Sequence, residues 1–259
     1  MRFLAIGAHP DDIDAMIGGT LIRLAKQGHH ISYLICTDGS KGTQRQEEVA
    51  GMQATRQAEQ RAACQVVGAE GVYFFNYVDG ELEAGLSLRR DIVRVIRTVK
   101  PDVVLAWDPT AFWIGDTVIN HTDHRTSGKE AMDAAYPGAG HATMFPELGL
   151  PASPTRELWM YGSNFPNVFV DIENEFAQKK AAVQSHVSQH YLDEDYLFQL
   201  LRDDNRWVVR DCDNPVTVKH RQHPEFVESF RRITLNRMPE VMGEIAPVWE
   251  LHRGEDAQS

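Results

Sequence analysis

At 259 residues and 42% hydrophobic content the chain is long enough to close a full core, as one large α/β domain or as one domain with an appended piece. A formal net charge of −11 excludes the basic face that a nucleic-acid partner needs and any simple attraction to an anionic membrane. Apolar runs of about 18 residues are missing, and Met1-Arg2 leads straight into the first apolar run without a signal-peptide pattern, so the expectation is a soluble cytoplasmic protein.

In chain order, the apolar run from Phe3 reads as a strand that ends in His9-Pro10-Asp11-Asp12. Ile17, Leu21, Leu24 and Ala25 then fall at helical spacing, with Gly28 where the helix stops. ISYLICTDG is the second strand, ending at Asp38-Gly39; a long helix runs from Gln44 to about Val67, and GVYFFN is the third strand. Leu88, Ile92, Val95, Ile96 and Val99 make an amphipathic helix stopped by Pro101, and DVVLAWDP is the fourth strand. This alternation predicts a Rossmann-like α/β fold, a mostly parallel sheet with helices on both faces. Its ligands bind beyond the carboxyl ends of the strands, where the His9, Asp38, Asp79 and Asp108 turns lie.

From Asn120 a short loop carries HTDHR into a helix reaching roughly Tyr136. Residues 137–157 are rich in Pro and Gly and read either as a plain connection or as a lid over the site. ELWMYGSN and NVFVDI are two further strands, and a helix runs from Glu173 to about His190. Beyond it, YLFQLL and PEFVESFRRITL read as helical, RWVVRD and PVTVKH as short strands. Cys36, Cys64 and Cys212 are odd in number and widely spaced, which fits reduced structural thiols better than a disulfide frame or a sulfur-ligated metal.

The chemistry sits in two histidine-bearing turns. Asp11 or Asp12 could simply cap the first helix, since Asp is favoured there, but a cap does not require His9. The second turn, His121-Thr122-Asp123-His124, changes the balance. Two histidines three residues apart, one able to bind a metal and one to face a substrate, would complete a His/Asp/His set with an open fourth position.

HPDD followed by an acidic residue and GGT, then TDGSKGT, Arg56 and Glu59, HTDHR and KKAAVQSHVSQ together resemble the PIG-L (LmbE-like) family of zinc-dependent N-deacetylases, over roughly residues 3–190. The resemblance implies an LmbE-like deacetylase domain over 1–190, with 191–259 as a C-terminal extension packed on it. It implies that His9, Asp12 and His124 ligate Zn2+ or another divalent ion, that Asp11 is the general base on a water, that His121 stabilises or protonates the tetrahedral intermediate, and that Asp123 orients a histidine. Arg56, Asp79 and His186 would contact the substrate, a small N-acetylated sugar or glycoconjugate; homo-oligomer assembly stays open. Trp107, Phe112 and Trp113 could stack on a sugar ring, although tryptophans at a strand end more often belong to the core.

The chain departs from the pattern at two places. Asp14 takes the place of a glutamate and reads as structural, bonding the helix start, and Ile119 stands where some members carry a tyrosine that assists the oxyanion. Two rival functions stand beside the deacetylase: a metal-assisted amidase on a non-sugar acyl amide, and a nucleotide- or sugar-binding module with incidental histidines. GAHPDD in place of GxGxxG counts against the latter.

Overall fold

The computed structural model describes residues 1–114, 118–189 and 226–235. β1 (Arg2–Gly7), β2 (His30–Thr37), β3 (Gly71–Tyr77) and β4 (Val103–Trp107) alternate with α1 (Asp12–Lys26), α2 (Val49–Val67) and α3 (Leu86–Val99). Gly68, at φ 85°, closes α2 in the left-handed conformation that glycine adopts without a Cβ clash. A two-stranded ribbon, β5 (Trp113–Ile114) and β6 (Val118–Ile119), precedes α4 (Thr122–Asp133); strands this short leave no periodic pattern. β7 (Glu157–Tyr161), β8 (Val168–Asp171), α5 (Phe176–Gln184) and β9 (Val227–Thr234) follow.

The main sheet has seven strands in the order β3-β2-β1-β4-β7-β9-β8. β3 through β7 pair in parallel, and β9 runs antiparallel to both its neighbours. Strand periodicity divides the core: Phe3 and Ala5 face the cluster built with α1, α2 and α5, while Leu4 and Ile6 face the one built with α3 and α4. The sheet is therefore covered on both sides, as its near-continuous apolar strands require. Because the chain winds from β1 out to β3 and then returns to the other side of β1 as β4, the topological switch lies between β1 and β4.

Two expectations are corrected, and one reading left open is decided. The stretch 224–235, read as helical from apolar residues three and four apart, contains β9: Phe230 is in the core, and Glu228 is drawn inside because it meets buried Lys179 at 2.6 Å and accepts the Gly19 and Thr20 N–H groups of α1. The Glu173–His190 helix is shorter than expected, so His186 lies in the turn beyond it. The loop 137–157 is not a lid, and its residues do not line the cavity described below. It wraps Arg97 of α3, whose buried guanidinium donates to the carbonyls of Gly138, Ala139, His141, Met144 and Phe145 at 2.7–3.3 Å. YLFQLL, RWVVRD and PVTVKH lie outside the described residues.

Arg97 is thus a structural cation whose donors satisfy the carbonyls of a loop that is irregular apart from a 3-10 turn at Pro146–Leu148 and the helical turn at its start, Ala134–Gly138. Arg97→Met is expected to lower unfolding free energy by about 3 kcal/mol, because several buried carbonyls lose their partners, while leaving turnover per folded molecule unchanged. Denaturant titration read beside a rate assay checks both halves.

Candidate metal centre and active site

At the switch point the chain turns sharply from β1 into α1. Asp12, the first residue of α1, sends its carboxylate back over this turn. Oδ2 accepts the Ala8 N–H at 2.8 Å, the His9 N–H at 2.9 Å and the indole Nε1–H of Trp107 at 3.0 Å. That oxygen is saturated, and Oδ1 is left facing His124 Nε2 at 3.1 Å and His9 Nδ1 at 3.6 Å. The two imidazole nitrogens are 3.2 Å apart.

The hydrogen bonds on the outer side of each ring fix the tautomers. Asn120 gives its Nδ2 to the Ala111 carbonyl, so its Oδ1 must accept from His124 Nδ1–H at 2.9 Å, which leaves His124 Nε2 as a bare lone pair. His9 Nε2 lies 3.1 Å from Asp79 Oδ1 and 3.2 Å from Asp123 Oδ2, both acceptors, so a proton is held there and Nδ1 is the nitrogen that faces the centre. With His9 in its neutral form, two lone pairs and a carboxylate oxygen therefore converge. Their spacing of 3.1–3.6 Å is close to the edge of about 3.3 Å that four ligands make around an ion with bonds of about 2.0–2.1 Å. The donor set fits a divalent cation, and its outer partners are of the kind that fix ligand orientation.

Electrostatics agree. Burial opposes charge on His9, but Asp12 and the bonds to Asp123 and Asp79 outweigh it and hold the imidazole well above its ordinary value. Burial likewise opposes ionisation of Asp12, yet His124 and His9 hold it well below the usual carboxylate range. The cluster calls for positive charge at its centre. His9, His121 and His124 also bring ligand atoms within 4.8 Å of one another, as do His9, Asp79 and Asp123. In the second group Asp123 is already engaged by the Gly80 and Leu82 N–H groups, and it supports His9 from behind.

Asp11 stands beside this centre with its backbone at φ 110°, a region L residues rarely occupy. Its carboxylate meets the Arg56 guanidinium at 2.9 Å. Burial raises its pKa, and Arg56 only partly offsets that. His121 caps α4, its Nδ1 accepting the Asp123 N–H at 3.1 Å, which puts the ring proton on Nε2. Burial, and then repulsion from His9 and His124, lower its pKa, so this ring is a neutral donor. Close approach of α4 to β4 depends on Gly128, where a Cβ would lie 2.3 Å from the Trp107 carbonyl. Across that contact the His124 and Trp107 rings stack at 3.9 Å and 7°.

These residues floor a cavity of about 650 Å³, within the range of small-molecule sites; 41–45, Ser188 and Gln189 form part of its wall. Arg56 and Asp79 line it as expected, but both are already engaged, Arg56 with Asp11, Gly39 O and Pro10 O, Asp79 with His9 and the Lys41 N–H. His186 is a correction: it is buried outside the cavity wall, its Nε2 on Asp14 at 2.9 Å, because the chain turns inward after α5. Asp14 is structural, but it bonds Tyr33, Gln60 and His186 rather than the helix start. Ile119 is 81% exposed, and Phe112 and Trp113 are exposed too, whereas Trp107 is buried against Asp12 and His124. Sequence reasoning missed Asn120 and Gln60 and read Trp107 as core or sugar platform; Asn120, four residues before His124 at a helix start, carried the one available signal.

Fold and donor set together define an α/β protein able to hold a divalent ion beside a buried carboxylate. The chain belongs to the PIG-L family: the family model described as GlcNAc-PI de-N-acetylase matches residues 4–135. It is 32% identical, over 73% of its own length and 70% of the relative's, to the diacetylchitobiose deacetylase of Thermococcus kodakarensis. It is 29% identical, over 61% of its length and 60% of the relative's, to the 1D-myo-inositol 2-acetamido-2-deoxy-alpha-D-glucopyranoside deacetylase of Rhodococcus erythropolis. Among solved structures, the N,N'-diacetylchitobiose deacetylase of Pyrococcus horikoshii superimposes with a TM-score of 0.75 at 25% identity, covering 90% of this chain and 84% of that one.

Trp107 touches two of the converging residues at once. Trp107→Phe keeps the stack on His124 but removes the bond to Asp12, and it is expected to weaken metal affinity by about 10- to 100-fold, as read by competition with a chelating dye.

Proposed function

We propose that this protein is a metal-dependent N-deacetylase that hydrolyses the acetamide of an N-acetylglucosamine-type sugar or glycoconjugate to acetate and free amine. The observation that carries this reading is the converging set His9 Nδ1, Asp12 Oδ1 and His124 Nε2 beside buried Asp11, in a chain whose relatives are named as deacetylases of such sugars. Zinc is the proposed ion, since imidazole and carboxylate donors suit it; iron or another divalent ion would satisfy the same set. Residues 1–190 and the stretch 191–259 are read as one domain, supported by the insertion of β9 between β7 and β8. A cytoplasmic location is in keeping with the buried free thiols of Cys36 and Cys64.

His9, Asp12 and His124 would hold the ion, with Asp79 and Asp123 fixing His9, Asn120 fixing His124, and Trp107 fixing Asp12. When bound, the ion polarises the amide carbonyl and lowers the pKa of an attacking water from about 15.7 to about 7. Asp11, its basicity raised by burial, takes the proton from that water as oxygen adds to the carbonyl carbon. His121 donates from Nε2 to the oxyanion that develops; its neutral tautomer makes it a stabilising donor at this stage. The C–N bond then breaks as Asp11 returns its proton to the nitrogen, so the amine does not leave as an anion. Arg56 keeps the carboxylate of Asp11 aimed and ionised through both transfers. Arg56 and Asp79, as members of the cavity wall, offer contacts to sugar hydroxyls through whatever bonding capacity their inner partners leave.

Asp11→Asn is expected to retain metal and to lose turnover by about 10²- to 10⁴-fold. Amine release over a panel of N-acetyl glycosides, with acylated non-sugar amines as controls, measures this and tests the substrate class; near-normal turnover of metal-loaded Asp11→Asn would remove the base assignment. The pH profile provides a second check. The Arg56 cation lowers the pKa of Asp11, which acts only when ionised, so Arg56→Met should move the acid limb of kcat/KM to higher pH, and Arg56→Lys should move it less.

A further inference from the structure

We propose that Gln60 is a positioning residue for Asp11, a role that rests on the reading of Asp11 as the base. The two residues are 49 positions apart in sequence, and the side chain of Gln60 is wholly buried. Its Oε1 accepts the Asp11 N–H at 3.1 Å, and its Nε2 donates to Asp14 Oδ2 at 2.7 Å.

The direction of the amide follows from its partners. A carboxylate oxygen can accept but not donate, so the Nε2 end must face Asp14 and the Oε1 end must face the Asp11 N–H. Asp14 is held in turn by the Tyr33 hydroxyl on Oδ1 at 3.0 Å and by His186 Nε2 on Oδ2 at 2.9 Å. β2, α1 and the turn after α5 thereby fix one carboxylate, and that carboxylate fixes the orientation of Gln60.

The position being held is a strained one. At φ 110° and ψ −35°, Asp11 occupies a conformation that persists only where its surroundings over-determine it. α2 supplies both restraints from one face. Arg56, one turn before Gln60, grips the Asp11 carboxylate and the Pro10 carbonyl, while Gln60 grips the Asp11 N–H. With that hydrogen bond gone, the peptide before Asp11 keeps the Arg56 contact at the Pro10 carbonyl but loses the restraint on its N–H, and the carboxylate is held less closely on the reacting water. Asp12 keeps its own anchors on Ala8, His9 and Trp107, so the metal ligands stay in place. The bond at Gln60 therefore acts on turnover rather than on metal or substrate binding.

Gln60→Met preserves volume and removes both hydrogen bonds. In the metal-loaded full-length protein, kcat is expected to fall by about 10- to 100-fold with KM within about threefold and metal content unchanged. Exchange of the Asp11 amide, followed by NMR, is expected to be slow in the wild type and at least about tenfold faster in the variant. A folded, metal-loaded Gln60→Met protein with wild-type kcat, or one whose loss merely tracks lost metal or lost folded fraction, would overturn the proposal. Should Gln60→Met fail to fold, an unprotected Asp11 amide in the wild type overturns it equally, and a protected one supports it. If the wild type releases no amine from any N-acetyl glycoside, the activity reading fails, while the exchange measurement still decides whether Gln60 holds Asp11.

Discussion

The structure around the site depends on one carboxylate oxygen with three donors on it. Asp12 Oδ2 takes the backbone N–H groups of Ala8 and His9 and the indole N–H of Trp107, which ties the end of β1, the start of α1 and the end of β4 to a single atom. These are charge-assisted bonds in a buried setting, the kind that hold geometry most firmly. Because Oδ2 is spent on them, Oδ1 is left to point at the histidines. The open crevice that a doubly wound sheet leaves at its switch point thus becomes a site of defined shape.

Each converging group is held through its second polar atom: His9 through Nε2, His124 through Nδ1, Asp12 through Oδ2, and the histidine at 121 through Nδ1. Protonation and direction are thereby decided before any substrate arrives, which is the physical content of preorganisation. The cost appears at Asp11, whose backbone is strained so that adjacent aspartates can face different partners, Asp12 the histidines and Asp11 the guanidinium of Arg56. The fold supplies the crevice, and the residues placed in it determine what is done there.

Much of the architecture was legible in the sequence because it is written in local periodicity. The strand-helix alternation through Val103–Trp107, the helix end at Gly68 and the stop before Pro101 all follow from side-chain spacing and breakers. Periodicity failed where burial is two-sided or the strand is very short. At β9, Phe226 just before the strand and Phe230 and Ile233 within it mimic a helical stripe, and only the pairing with β7 and β8 makes the segment a strand. The ribbon of β5 and β6 is too short for any pattern to register.

By itself the sequence determined which residue types could do the chemistry: the motif around His9 and the motif around His124 name the histidines and carboxylates, and their place after apolar runs puts them at one edge of the sheet. Only the tertiary structure decided which atom of each faces the centre, because that depends on hydrogen bonds from Asn120, Trp107, Asp79 and Gln60, which belong to other segments of the chain. It also decided that His186 lies behind Asp14 rather than against a substrate. A spacing rule reports which side of an element a residue occupies. The donors and acceptors it meets are set by the packing of elements far apart in sequence, and no local pattern carries that information.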